Sequence, residues 1–150
     1  MKIDWEQIQK ACDNIARQSK IFEPDCVVAV SRGGLIPARI VAEALNISHV
    51  YSIGLTSYKK DNSQGEITMY QSPLPEITKN KHKLAIIVDE IADTGNTFKY
   101  ISNQWAGVCE DTSCIFASMY VKEHCALVPS IYHKKIANRD WLIFPWEDNY

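Results

Sequence analysis

Two acids stand side by side at Asp89-Glu90, and three residues on, Asp93-Thr94-Gly95-Asn96-Thr97 carries a third acid, two hydroxyls and a glycine. The preceding residues, Leu84-Ala85-Ile86-Ile87-Val88, form the most apolar strand candidate in the chain, and a helix is predicted from about Thr97 to Ala106. A loop that enters a helix in this way offers hydroxyls, close backbone approach at the glycine, and first-turn amides with no intrahelical partner. Those are the parts of a phosphate cradle. The adjacent acids would repel a phosphate; they suit ribose hydroxyls, or a divalent cation that a phosphate shares. Together the spacings predict a site for a phosphorylated ribose. The plainer reading is an Asp cap on a helix preceded by solvated acids.

A second candidate lies at Ser31-Arg32-Gly33-Gly34, directly after the apolar run Cys26-Val27-Val28-Ala29-Val30. Two glycines let backbone N–H groups turn toward an anion, and Arg32 adds a fixed positive charge. By itself Gly-Gly after a strand is as often only a turn. No G-x-x-x-x-G-K-[ST] and no G-x-G-x-x-G occurs, so nucleotide hydrolysis and dinucleotide binding lack their signatures.

The elements that would position these loops are set by the hydrophobic pattern. Asp4 to Gln7 reads as a capping box, and Trp5, Ile8, Cys12 and Ile15 recur at helical spacing, so residues 4 to about 18 form an amphipathic helix. Cys26 to Val30 is apolar throughout, as in a strand covered on both faces. Leu35 to Leu45 reads as a helix that Asn46 ends, and His49 to Ser57 as a second strand. Residues 59–66 are polar and look like an excursion that closes as a hairpin with Ile67 to Tyr70, whereas Ser72 to Lys83 reads as loop. Ser113 to Val121 is a further strand, and Ile131-Tyr132 and Trp141 to Phe144 are short strand candidates. In an open α/β sheet of this kind, ligands bind beyond the carboxyl ends of the strands, which is where both candidate loops fall.

With 150 residues, 46% hydrophobic and 23% charged, the chain has the length and apolar content of one folded domain, expected over residues 1–150. A formal charge of −2 argues against binding nucleic acid through bulk electrostatics. No apolar run approaches the length of a membrane span and the N-terminus lacks signal-peptide character, so the expected location is cytoplasmic. The five cysteines include no C-x-x-C pair and sit mainly in apolar stretches, as buried free thiols do. His124-Cys125 has no second pair at ligand spacing to complete a zinc site.

Ile86-Ile87-Val88-Asp89-Glu90-Ile91-Ala92-Asp93-Thr94-Gly95-Asn96-Thr97 resembles the phosphoribosyl pyrophosphate motif of the type I phosphoribosyltransferases, and Val28 to Pro37 resembles their pyrophosphate loop. Both segments, in this order, are most similar to the small xanthine–guanine phosphoribosyltransferases of bacteria. Ser57-Tyr58, Tyr120-Val121-Lys122 and Trp141-Leu142-Ile143-Phe144-Pro145-Trp146-Glu147 extend the likeness over nearly the whole chain. The resemblance implies an open, mainly parallel twisted sheet with helices on both faces and a small hood from the C-terminal tail. It implies transfer of ribose 5-phosphate from phosphoribosyl pyrophosphate to a 6-oxopurine, with Mg²⁺ and release of pyrophosphate, in a homodimer or homotetramer.

By the same resemblance Asp93 is the general base beside the purine N7, and Glu90 coordinates Mg²⁺ and engages the ribose with Asp89. Asp93, Thr94, Gly95, Asn96 and Thr97 wrap the 5′-phosphate. Arg32 and Gly33 hold pyrophosphate, next to a Ser31–Arg32 peptide that is often cis in such enzymes. Lys122 reaches the 6-oxo group, Trp141 stacks on the base, and the backbone at Leu142 and Ile143 reads its 2-position. The residues alone leave Trp141 as readily a core side chain, Lys122 a solvated lysine and Trp146 a packing residue of the tail. Residues 59–66 match a closing flap without the arginine the bacterial relatives carry there, with Lys59 or Lys60 as substitutes, and Ile143 stands where those relatives place an acid. Two alternatives stay open: a phosphoribosyltransferase for a different base, and a non-catalytic phosphoribosyl pyrophosphate-binding regulator.

Overall fold

A computed structural model describes residues 1–58 and 65–147. Its centre is a six-stranded sheet. The strands are β1 (Cys26–Ser31), β2 (Val50–Tyr58), β3 (Glu66–Gln71), β4 (Leu84–Ala92), β5 (Ser113–Lys122) and β6 (Ile131–Ile136), in the order β3-β2-β1-β4-β5-β6. All neighbours run parallel except the β2–β3 hairpin at one edge. The helices are α1 (Trp5–Ser19), α2 (Leu35–Ala44), α3 (Leu74–Lys79) and α4 (Asn96–Val108). Among the described residues no helix is long and apolar enough to cross a membrane.

Continuous apolar runs become buried strands because successive side chains serve opposite faces. Val27 and Ala29 of β1, with Ile86 and Val88 of β4, pack under α1 and α2 against Ile8, Cys12, Ile15 and Val41. Val28 and Val30, with Ala85 and Ile87, pack on the other face with Ile77 of α3 and with Phe98, Ile101 and Trp105 of α4. The predicted capping box closes α1: Gln7 N–H donates to Asp4 Oδ1 at 2.8 Å while Gln7 Oε1 accepts from Asp4 N–H at 2.9 Å. Asn46, at φ 55°, ends α2, with its own N–H donating to Glu43 O and Ile47 N–H to Ala42 O, the paired bonds of a Schellman cap. Burial raises the Cys12 and Cys26 thiols to about 12.

The structure departs from the sequence reading in three places. Residues 72–83 are not all loop, because Leu74 and Ile77 are buried on the α4 side and fold Leu74–Lys79 into a short helix that begins after Pro73. The strand expected to stop at Val88 runs on to Ala92, since β5 continues to pair with it at Asp89, Ile91 and Ala92. Trp141 to Phe144 forms no sheet strand; Ile143 instead makes an isolated parallel bridge with Lys2. Of the expected flap, Lys59, Lys60, Ser63 and Gln64 lie outside the described residues, while Glu66 and Ile67 pair with Tyr58 and Ser57 in the expected hairpin.

The extension of β4 creates the site. β1 pairs with β4 only as far as Ala29–Val88, and Ser31 onward turns away toward α2. Because β1 is followed by β2 on one side and β4 by β5 on the other, the β1–β4 boundary is the switch point of the sheet, where a crevice opens. Phe98 fixes α4, and hence the loop before it, to the sheet; it is fully buried with its ring 4.7 Å from that of Phe116. Phe98→Ala should lower unfolding free energy in denaturant titration by about 3–5 kcal/mol, and a loss under about 1 kcal/mol would show that α4 is not anchored there.

Candidate active site

Beyond Val88 the free edge of β4 faces the Ser31–Gly34 turn, whose Ser31–Arg32 peptide is cis. Gly33 leaves room for Glu90: a Cβ there would fall on the Glu90 carboxylate as it lies and would displace it. Gly34 is required by the backbone, since its Cβ would collide with the carbonyl oxygens of Val30 and Val88. Asp89 is buried, and its Oδ1 accepts the Glu90 N–H at 2.9 Å. Burial first, then the charge and side-chain hydrogen bond of Glu90, hold the Asp89 carboxyl well above the usual carboxylate range.

The loop after β4 turns at Gly95, φ 89°, which leads into α4 without a side chain to cap it. The Asn96 N–H points back to Thr94 Oγ1 at 3.2 Å. The loop is docked against the β5–β6 turn, where Ala126 N–H donates to Thr94 O at 3.0 Å and Leu127 leaves no room for a Cβ at Gly95.

Three adjoining cavities meet at Glu90. One of about 200 Å³ brings together Ser31, Arg32, Gly33, Asp89, Glu90 and Thr97 with Thr56 and Ser57 of β2. A second, of about 790 Å³, lies between Arg32, Gly33 and Glu90 on one side and Trp146 and Glu147 on the other. The third, about 440 Å³, is lined by Glu90, Asp93, Thr94, Lys122, Trp141 and Leu142, among others.

Most of the residues singled out in the sequence therefore converge. Lys122 is not a solvated lysine: it is 7% exposed and its Nζ donates to the carbonyls of Asn138 (3.1 Å) and Asp140, which leaves one of three ammonium hydrogens for a ligand. Trp141 is not core, at 78% exposed over the third cavity. Ile143 does not line that cavity, and its amide is already committed: its N–H donates to Met1 O and its C=O accepts from Ile3 N–H, both at 2.9 Å. The expectation that Ile143 backbone reads a bound base therefore fails on its N–H, because the tail turns this residue toward the N-terminal segment. Gly95 and Asn96 form the turn into α4 and are not among the described residues that line these three cavities. Trp146 stacks on Phe144 at 4.9 Å and lies 6.0 Å from Trp5, a packing role that also places it beside the second cavity.

Sequence reasoning missed His124, Asn138, Asp140 and Glu147, which line the third cavity. His124 Nε2 sits 2.7 Å from Asp93 Oδ1. No local signal marks it, since His124 lies in the turn that follows β5, closed by Cys125 N–H donating to Lys122 O.

This arrangement is that of a phosphoribosyltransferase. Residues 4–147 match the family model described as phosphoribosyl transferase domain, and the chain belongs to that family. It is 27% identical over 147 residues to the xanthine-guanine phosphoribosyltransferase of Idiomarina loihiensis, a match that covers 97% of this chain and 85% of the relative. The enzyme of the same name from Cereibacter sphaeroides is also 27% identical, over 150 residues, with the same coverage. Among solved structures, a purine phosphoribosyltransferase from Pyrococcus horikoshii superposes with a TM-score of 0.79 at 26% identity, covering 98% of this chain and 93% of that one. The fold is shared with the Helicobacter pylori xanthine-guanine-hypoxanthine phosphoribosyltransferase, at TM-score 0.85, 22% identity and coverage of 97% and 92%.

The buried acid has a consequence for stability. Folding raises the Asp89 pKa, so the folded protein keeps a proton that the unfolded chain releases at about 3.9. This group's contribution is intact below that pH and is lost as pH rises through the folded value. Asp89→Asn removes the dependence. The Tm of the variant minus that of the wild type should therefore grow more positive from about pH 4 upward, without added divalent cation; a difference flat or falling with pH would contradict it.

Proposed function

We propose that this protein is a Mg²⁺-dependent purine phosphoribosyltransferase that moves ribose 5-phosphate from phosphoribosyl pyrophosphate to a 6-oxopurine and releases pyrophosphate. The observation that carries the reading is the meeting, at Glu90, of an anion-suited turn, an acid pair and an aromatic-lined cavity. Breaking the anomeric C–O bond spreads positive charge over the ribose ring, as in glycoside hydrolysis. The carboxylates of Glu90 and Asp89 are the groups to stabilise that charge and to bind the ribose hydroxyls. Arg32 and the Gly33 backbone take the leaving pyrophosphate, and Thr94, Thr97 and the entrance to α4 take the 5′-phosphate.

The donor set suits a hard divalent cation. Glu90 lies in a space that a Cβ at residue 33 would fill, beside a second carboxyl, that of Asp89, whose pKa burial and Glu90 raise. Glu90, with Asp89 behind it, would hold Mg²⁺, which when bound neutralises the departing pyrophosphate. At the base end Trp141 offers an exposed ring for stacking, Lys122 a remaining hydrogen for the 6-oxo group, and Asp93 a carboxylate to accept the proton of N7. The names of the relatives support a purine, and assay of xanthine, guanine and hypoxanthine decides among them.

Ultraviolet absorbance on mixing the protein with phosphoribosyl pyrophosphate, Mg²⁺ and each purine in turn tests the reading. Conversion of at least one 6-oxopurine is expected; binding of phosphoribosyl pyrophosphate with no conversion of any base would favour a sensor. Asp93→Asn should reduce kcat by on the order of 10²-fold while phosphoribosyl pyrophosphate still binds, and wild-type turnover would remove Asp93 from the chemistry. Trp141→Ala should weaken purine affinity by roughly 1–3 kcal/mol in a direct binding titration, and an unchanged Kd would deny it the stacking role.

A further inference from the structure

We propose that His124 is the positioning residue for Asp93, fixing which carboxylate oxygen faces the base; the inference rests on the function proposed above. Asp93 is one residue beyond the end of β4 and its side chain is 63% exposed, so neither the strand ladder nor packing sets its rotamer. The imidazole is the group that reaches it, with Nε2 2.7 Å from Oδ1.

His124 is itself held by backbone. Its N–H donates to Asn138 Oδ1 at 2.9 Å, the flanking Glu123 N–H donates to Ile136 O, and Cys125 N–H donates to Lys122 O. The same turn is docked to the loop after β4 a second time, through Ala126 N–H to Thr94 O at 3.0 Å. The imidazole thus projects from a fixed frame onto a carboxylate in a loose one, and both line the cavity that holds Lys122 and Trp141. With Oδ1 accepting from Nε2–H, Oδ2 is the oxygen that takes the purine proton. The proton leaves N7 for Oδ2 and its N–H electron pair stays on the purine; as N9 bonds to the anomeric carbon, the anomeric C–O bond breaks and its electron pair departs with pyrophosphate, and Asp93 ends as the neutral acid. His124 neither gains nor loses a proton in this step; it holds the acceptor still.

Initial-rate kinetics at pH 8 test this with His124→Ala, His124→Gln, Asp93→Asn and the double variant Asp93→Asn/His124→Ala. His124→Ala should lower kcat roughly 10- to 100-fold with the KM for phosphoribosyl pyrophosphate unchanged, the scale on which a misplaced catalytic group acts. His124→Gln keeps an N–H donor and should recover most of the lost rate. In the Asp93→Asn background the His124→Ala change should have no further effect, because both remove one unit of function. Additive losses, or a raised KM with kcat intact, would overturn the proposal. If the wild type converts no base, the proposed function fails, and the contact is read separately by imidazole ¹⁵N shifts. The Nε2–H tautomer should dominate in the wild type and give way in Asp93→Ala; identical tautomer populations in the two would overturn the positioning role.

Discussion

The rest of the structure is arranged around two carboxyl groups on consecutive residues at the end of a buried strand. Asp89 is out of solvent with its carboxyl pushed toward the neutral form, and Glu90 lies against a residue that has no Cβ to dispute the space. Neither choice helps folding. A buried acid beside another acid is a net cost to the native state, and a site that tolerates it is one where stability has been given up for binding. Such a pair becomes favourable when something cationic or rich in hydroxyls occupies the crevice.

The pair determines what its neighbours can be. Gly33 and Gly34 are set by different atoms: a Cβ at Gly33 would displace the Glu90 carboxylate, whereas one at Gly34 would collide with two strand carbonyls that cannot move aside. β4 must outrun β1 by several residues for the acids to emerge on a free edge, and it is β5 that supports the overhang. Around the cavity of Lys122 and Trp141 the support comes from segments remote in sequence. The bridge between Lys2 and Ile143, the Phe144–Trp146 stack and the nearby Trp5 ring pin the tail to the start of the chain. Lys122 ties down residues 138 and 140 from beneath.

The half of the site built from the turns after β1 and β4 was legible because it is local. A strand, a turn and a helix entrance within a dozen residues carry their own geometry, so Asp89 to Thr97 and Ser31 to Gly34 declared themselves by type and spacing. The alternation of buried faces in β1 and β4 was equally readable. The illegible parts depend on partners far along the chain. Nothing near Trp141 states that Ile143 will pair with Lys2, which turns one residue of the tail inward and leaves the tryptophan out over a cavity. Nothing near His124 states that Asp93 lies across from it. The short α3 was missed for a related reason: prolines at 73 and 75 mark a break, and only the burial of Leu74 and Ile77 against the far face makes Leu74–Lys79 a helix.

The charge around the whole crevice, the acid pair included, favours a cation. Among the described residues lining the three cavities, Asp89, Glu90, Asp93, Asp140 and Glu147 are acidic, while the fixed positive charges are Arg32 and Lys122. Lys122 already spends two hydrogens on backbone carbonyls, at the end of the site away from Arg32. A phosphoribosyl pyrophosphate carrying several negative charges would thus meet one free guanidinium and a surplus of carboxylates, in a chain whose net charge of −2 gives no long-range attraction. Amides at the α4 entrance and the glycine turn supply dipoles but no net charge. On the proposed function, a divalent cation held by Glu90 would reverse the balance where the cavities meet, lowering the repulsion for the substrate and the proton affinity of Asp89 together. On the proposed function, metal and donor would therefore bind with strong mutual dependence, because each relieves the charge that opposes the other.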